Sequence, residues 1–245
     1  MEMRLKRERG AVRLLVVSVV CLGTIIPSIA DAEQADKAAG AKCTTDTLVT
    51  DIDGNTYHTV TIGNQVWMAE NLKVTRYRNG ETIPRVEADH TWSTLTTGAY
   101  CLGGKDPASY KETHGALYNF YVVNDTCGLC PKGWHVPTQD EWLILENYLG
   151  GSEIAGGKAK EKGTVHWHPP NAGATDQVGF GALPAGGRGR YDDKPGEIGN
   201  YATWWSSTAH DSSYAWHWGL WTGDARVRSN PGHKTSGFSV RCVKD

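Results

Sequence analysis

Phenylalanine and methionine are scarce, three of each in 245 residues, so a core of any size must be filled by other side chains. Charge of neither sign is in excess. A formal net charge of -2 gives no basic footprint for nucleic acid and no polybasic patch for anionic lipid. The chain has no Gly-rich phosphate loop, no G-x-S-x-G elbow and no paired-glutamate signature, which removes the usual sequence handles on nucleotide, hydrolase and glycosidase chemistry. Its main apolar run, residues 14–29, is shorter than the roughly 20 residues that span a bilayer and contains Pro27.

That run has a different reading. It follows Arg4, Lys6, Arg7, Arg9 and Arg13 and precedes Ala30-Asp31-Ala32, the basic, apolar and small-residue parts of a secretory signal peptide. The expectation is a signal peptide over 1–32, cleavage after Ala32, and an exported protein: extracellular, cell-surface or periplasmic. Two alternatives stay open, a retained anchor and a lipoprotein acylated on Cys21, though Val20 is large for a lipidation site. A membrane contact is expected only in those two cases. Residues 33–46, rich in Ala and charge without apolar periodicity, read as a flexible lead, and 47–245 as one domain.

What the chain has in quantity is tryptophan, ten residues, and glycine, 29. Tryptophan anchors a core when buried and makes a stacking platform when exposed; the glycines imply tight turns and irregular loops. Apart from Cys21 the cysteines are Cys43, Cys101, Cys127, Cys130 and Cys242, an odd set for a compartment in which cysteines pair. Cys127-Gly128-Leu129-Cys130 has redox spacing, but Pro131, Lys132 and Gly133 follow it where a redox motif opens a helix. A zinc knuckle needs a second ligand pair that the spacing does not offer. Structural disulfides are the simpler reading: a Cys130–Cys242 bridge would tie the chain's last strand to its middle, leaving the pairing of Cys43, Cys101 and Cys127 open.

Along the chain, short strands and turns come first, with 57–62 and 65–68 flanking Gly63-Asn64 as a hairpin. The stretch from Asp51 to Asn55 superficially resembles a calcium loop, but its Gly54 is misplaced and Ile62 stands where a bidentate Glu belongs; a turn fits better. An amphipathic helix is expected over 116–123. A second, over 139–149, is marked by the capping box Thr138-Gln139-Asp140-Glu141 and the stop Gly150-Gly151. After loop-rich 163–201, strands are expected at 203–208, 214–221, 225–229 and 236–243, with turns at Thr222-Gly223-Asp224 and Asn230-Pro231-Gly232. Two helices with antiparallel strands, closed by a C-terminal strand, make an α+β domain.

Five ordered blocks carry a resemblance: Asn64-Gln65-Val66-Trp67-Met68-Ala69-Glu70-Asn71-Leu72, Gly115-Ala116-Leu117-Tyr118-Asn119, residues 130–138 (CPKGWHVPT), Trp204-Trp205-Ser206-Ser207-Thr208, and residues 237–243 (GFSVRCV). Together the chain resembles the FISUMP domain, the Fibrobacter succinogenes major paralogous domain. The resemblance implies a bacterial secreted or surface protein with a C-type-lectin-like fold, a group shared with formylglycine-generating enzymes and with variable receptor proteins. It implies no particular activity.

For function, alternation in the last sheet is the best guide. With Trp216, Trp218 and Leu220 facing inward, His217, Gly219 and Trp221 face out; with Val227 inward, Arg226 and Arg228 face out. Tyr214 and His233 are expected beside them. This surface suits a non-catalytic recognition module for a carbohydrate or protein ligand, without a cofactor; in the variable receptors the same region is the ligand surface. An assembly or surface structural subunit is the second reading. A formylglycine-generating-like or metal-dependent enzyme is the third, with His166 and His168 as a metal pair beside His135 or His210, and Asp192-Asp193 near Arg188 and Arg190 for acid–base work.

Overall fold

A computed structural model describes residues 47–192 and 195–245; the expected signal segment, Cys21, Cys43 and Asp193 lie outside the described residues. Strands β1 (Leu48–Thr50), β2 (Thr56–Ile62) and β3 (Gln65–Met68) begin the domain. β2 and β3 form the expected hairpin, with Ile62 opposite Gln65 and Gly63 at positive φ. The stretch from Asp51 to Asn55 is a turn: the Asp51 carboxylate accepts from the Asp53 and Asn55 N–H groups, from Asn55 Nδ2 and from Tyr57 Oη, all within 2.9 Å. There follow α1 (Asp89–Ser93), β4 (Tyr100–Cys101), α2 (Pro107–His114), β5 (Leu117–Tyr118), α3 (Phe120–Val123), β6 (Trp134–His135), α4 (Gln139–Tyr148) and α5 (Ser152–Ala159). The chain ends with β7 (Tyr201–Ala209), β8 (Tyr214–Trp221), β9 (Val227–His233) and β10 (Val243–Lys244).

The fold is mixed α+β with mostly antiparallel pairing. One sheet runs β1-β2-β3-β10-β6 and another β7-β8-β9, with β4-β5 as a pair. β10 enters the first sheet between β3 and β6, with Val243 opposite both Trp67 and His135, so the C-terminal strand closes the N-terminal hairpin. The segment before it threads between β5 and β7, bridging Phe238 to Tyr118 and Ser239 to Trp204.

β7 organises the core. Successive residues of a strand point to opposite faces, and here both faces are covered. Trp204 joins Trp67, Trp142, Phe180 and Trp218 in one cluster, while Trp205 joins Phe120 and Phe238 in the other. Trp142 and Trp218 stack with centroids 4.8 Å apart. Indole N–H groups taken this deep need acceptors: Trp204 Nε1 donates to Asn71 Oδ1 at 2.8 Å, and Trp205 Nε1 to the Tyr118 carbonyl at 2.7 Å. The sequence blocks meet at Asn71. Its Oδ1 also accepts from the buried Arg241 guanidinium at 2.9 Å, and its Nδ2 donates to the His114 carbonyl at 2.9 Å. Gly115 passes so close that a Cβ there would lie 2.7 Å from the Leu72 carbonyl oxygen.

Several expectations are corrected. Residues 116–123 are not one helix: Leu117 and Tyr118 pair with β4, and Asn119 then caps a four-residue helix by accepting from the Val122 N–H. α1, α2 and α5 had not been anticipated. α2 starts on Pro107 behind an Asp106 cap. α5 contains Gly156 and Gly157, poor helix formers kept because a Cβ on Gly156 would lie 2.6 Å from the Arg226 carbonyl oxygen. Asn230-Pro231-Gly232 is the end of β9 and not a turn; Pro is tolerated there because β9 is an edge strand. Of 236–243, only the last residue belongs to a regular strand, although Phe238, Val240 and Cys242 share one cluster as alternation requires. α4, its capping box, and β8 match the sequence reading. Among the described residues no helix is long and apolar enough to cross a membrane.

Candidate ligand-binding surface

The six residues expected on one outward face are divided by the structure. β8 is the central strand, and its middle is covered on both sides. Trp218, Leu220 and Val227 do face the core. Trp216, expected beside them, instead lies half-buried at the sheet's end, edge-on to His210 at 5.2 Å. His217 points the other way but not into solvent. It is half-buried, with its ring 4.7 Å from Phe238 and 6.5 Å from Trp205, and burial lowers its pKa to about 4. The alternation was read correctly and the exposure was not, because the returning segment with Phe238 covers that face.

The positions with access to solvent lie at the two ends of β8, half-buried Trp221 at one and exposed Tyr214 at the other, roughly 23 Å apart at about 3.3 Å per residue. At the C-terminal end Trp221 lies over Gly219, where a Cβ would sit 2.6 Å from its ring. Tyr201 on β7 stacks alongside at 6.1 Å and 19°, and the Arg228 guanidinium on the β9 side lies 4.9 Å from the ring centroid. Arg228 also pairs with Asp224, whose hydrogen bond raises the guanidinium pKa further and is the main cause holding the carboxyl below its ordinary range. Arg226 leaves this row: its Nε pairs with Glu153 on α5 at 2.8 Å. Beneath the row, Lys160 Nζ donates to the carbonyls of Ala172, Trp221 and Asp224.

At the other end, Tyr214 meets His233 edge-on at 5.4 Å. His233 in turn bonds Arg190 and Thr235. The sequence reading had left Tyr201, Asp224, Lys160, Arg190 and Tyr191 out of the surface. Register with Trp221 was the signal for Tyr201. Nothing local pointed to Lys160 or Arg190, whose partners in and after the last sheet's strands are 43 to 64 residues away.

The enzyme handles do not converge. His166 bonds Glu161 at 2.9 Å, His168 bonds Asn200 at 3.0 Å, His210 bonds Asp211 at 3.1 Å, and His135 sits between Glu141 and Asp245. Among the described residues no group of three His, Cys, Asp or Glu is placed to hold a metal ion. Asp192 accepts from the Gly189 N–H, and Arg188 is buried against Trp92 at 4.7 Å. The CxxC spacing is not a redox pair: Cys130 is bonded to Cys242. Cys127 is a free thiol whose pKa is raised, chiefly by its hydrogen bond to Asp125, the opposite of what a nucleophilic thiolate needs.

Residues 60–244 match the family model described as Fibrobacter succinogenes major domain. Comparison with curated proteins and with solved structures gave no match.

Proposed function

The chain belongs to the Fibrobacter succinogenes major domain family, and from that premise we propose that it is an exported recognition module that binds a carbohydrate or protein ligand through the two ends of its C-terminal sheet. The carrying observation is the Tyr201–Trp221–Arg228 row. Eight of the ten tryptophans are buried, and of the other two only Trp221 is flanked by an aromatic ring and a guanidinium. Aromatic and arginine side chains held rigid at a surface are the usual anchors of recognition. The Cys130–Cys242 disulfide supports an oxidising compartment. The return of β10 beside β3 supports placing the fold in the C-type-lectin-like group.

The test is an array of glycans and secreted proteins probed with the purified chain and with Trp221→Ala. A ligand whose binding falls about tenfold or more in the variant supports the placement; unchanged binding overturns it. A second reading, an assembly subunit, is favoured by the outer face of α4, where Leu143, Ile144 and Tyr148 are exposed. Light scattering on the same samples separates the two, since a stable oligomer indifferent to Trp221→Ala belongs to the second.

A further inference from the structure

The N-terminal end of β8 carries a cluster with chemistry of its own. Arg190 Nη1 lies 2.9 Å from His233 Nε2. A guanidinium only donates, so Nε2 accepts, while Nδ1 faces both Thr235 Oγ1 at 2.9 Å and the Thr235 N–H at 3.2 Å. His233 is therefore neutral, and burial followed by the Arg190 charge lowers its pKa, against a weaker pull from Asp211. The neighbouring carboxylates have other partners. Asp192 accepts from the Gly189 N–H at 2.7 Å, and Asp211 from the N–H groups of Ser213 and Tyr214 at 2.7 and 2.8 Å.

Arg190 is thus a half-buried cation that, among the described residues, forms no ion pair, and its Nε is out of solvent without an acceptor. Burying a charge without a counter-charge is unfavourable, and an anion arriving from outside would offset that cost. Aromatic surface stands next to it. Tyr191 is 79% exposed, with the Arg190 guanidinium 5.0 Å from its ring centroid, and Tyr214 is 42% exposed. A carboxylate receptor flanked by open tyrosine rings matches a molecule with one acid group on a compact ring with apolar faces.

We propose that Arg190, Tyr191, Tyr214 and His233 form a site for an acidic sugar, a hexuronate whose carboxylate pairs with Arg190 and whose ring packs on Tyr191. The proposal rests on the recognition reading and gives that surface a ligand class and a second address. An acidic peptide is the competing anion. It would bind most readily by adding a strand to β9, but Pro231 removes a donor from that edge.

The experiment is calorimetric titration of the full chain with tetragalacturonate, with its carboxyl-reduced neutral counterpart and with tetraglutamate, repeated on Arg190→Gln, Tyr191→Ala and Trp221→Ala. Supporting results are binding of tetragalacturonate that weakens about tenfold or more in Arg190→Gln and on carboxyl reduction, that weakens in Tyr191→Ala, and that survives in Trp221→Ala. Tyr191 is so exposed that its variant folds even where Arg190→Gln does not, and circular dichroism checks both. Tetraglutamate binding that needs Arg190, with no uronate binding, overturns the sugar in favour of a peptide. Ligand binding lost in Trp221→Ala but untouched in Arg190→Gln overturns this site and leaves the recognition reading standing. Failure of all three probes overturns the inference, and the Trp221 array then decides the broader reading by itself.

Discussion

Lys160 has its side chain wholly out of water, a position in which an ammonium survives only if its three protons find acceptors. They find three backbone carbonyls, Ala172 and Trp221 at 2.9 Å and Asp224 at 2.8 Å, with the Trp167 ring at 5.3 Å. One side chain therefore joins α5 to the loop after Trp221 and to the loop around Ala172, and fixes the backbone from which Trp221 and Asp224 project. Burial pulls its pKa down to about 8, with Asp224 opposing, so the ammonium is the prevailing form at neutral pH. Lys160→Met keeps the stem and removes the donors. We expect it to cost about 2–4 kcal/mol, since charge-assisted bonds are lost and buried acceptors are left unpaired. The denaturant midpoint measures this; a cost below about 0.5 kcal/mol would show that the cage holds nothing in place. Such a residue is invisible to sequence reading, because a lysine in Ala-Lys-Glu-Lys looks like any solvated helix end. The same holds for Arg190, read as part of a polar loop. His217, in contrast, was given the right face of its strand and the wrong exposure. Strand period is local, whereas the Phe238 ring that covers His217 comes from a segment that bonds to another sheet element.

Among the elements, the most legible was α4, because its start is written in adjacent residues. Thr138 Oγ1 accepts from the Glu141 N–H, and the Glu141 carboxylate accepts from the Thr138 N–H at 2.8 Å. The structure adds a tertiary layer. His135 Nε2 lies 2.8 Å from Glu141 Oε1 and its Nδ1 2.7 Å from Asp245 Oδ1, so β6 clasps both the helix start and the end of the chain. Burial by itself would lower the His135 pKa, but the hydrogen bonds and charges of Asp245 and Glu141 outweigh it and raise it above the ordinary value. A histidine with a raised folded pKa adds stability that is fully present below its unfolded pKa and is lost as pH rises through the folded one. Glu141 has the opposite sign. Burial would raise its pKa, but the Thr138 N–H and His135 outweigh that and lower it, so its share is lost only in stronger acid. Between about pH 5.5 and about pH 8.5 only the histidine limb runs. The stability gap between the natural chain and His135→Gln should therefore be largest at the acid end, close with rising pH, and shrink in high salt because the clasp is partly exposed. Thermal melts across that range check it, and a gap that widens with pH would refute the clasp. α5 was illegible for the converse reason: its glycines answer to the β9 loop and not to helix propensity.

Across the whole molecule, the Cys130–Cys242 bridge joins points 112 residues apart, with α4, α5 and the entire β7-β8-β9 sheet between them. The sequence reading offered this pair as a tie between the last strand and the chain's middle, and the packing shows why it matters: both cysteines are buried in the cluster that also holds Trp205 and Phe238. In the chain-entropy account a cross-link acts on the unfolded state, and a loop this long gives roughly 4–5 kcal/mol as an upper estimate. The variant carrying Cys130→Ala and Cys242→Ala should lose a large part of that, plus a smaller packing cost, with its denaturant midpoint falling accordingly. The folded chain makes a second check available. Cys101 is buried and its thiol is pushed up to about 12, first of all by desolvation, whereas Cys127 is partly exposed. Among the described cysteines, a maleimide should therefore label Cys127 in the folded chain, though more slowly than a free thiol because its pKa is raised, Cys101 only on unfolding, and Cys130 and Cys242 only after unfolding and reduction together. Labelling of Cys130 or Cys242 in unreduced, denatured protein would mean that the bridge is absent. The loop-closure argument, and with it the tie between the chain's middle and its last strand, would then fall.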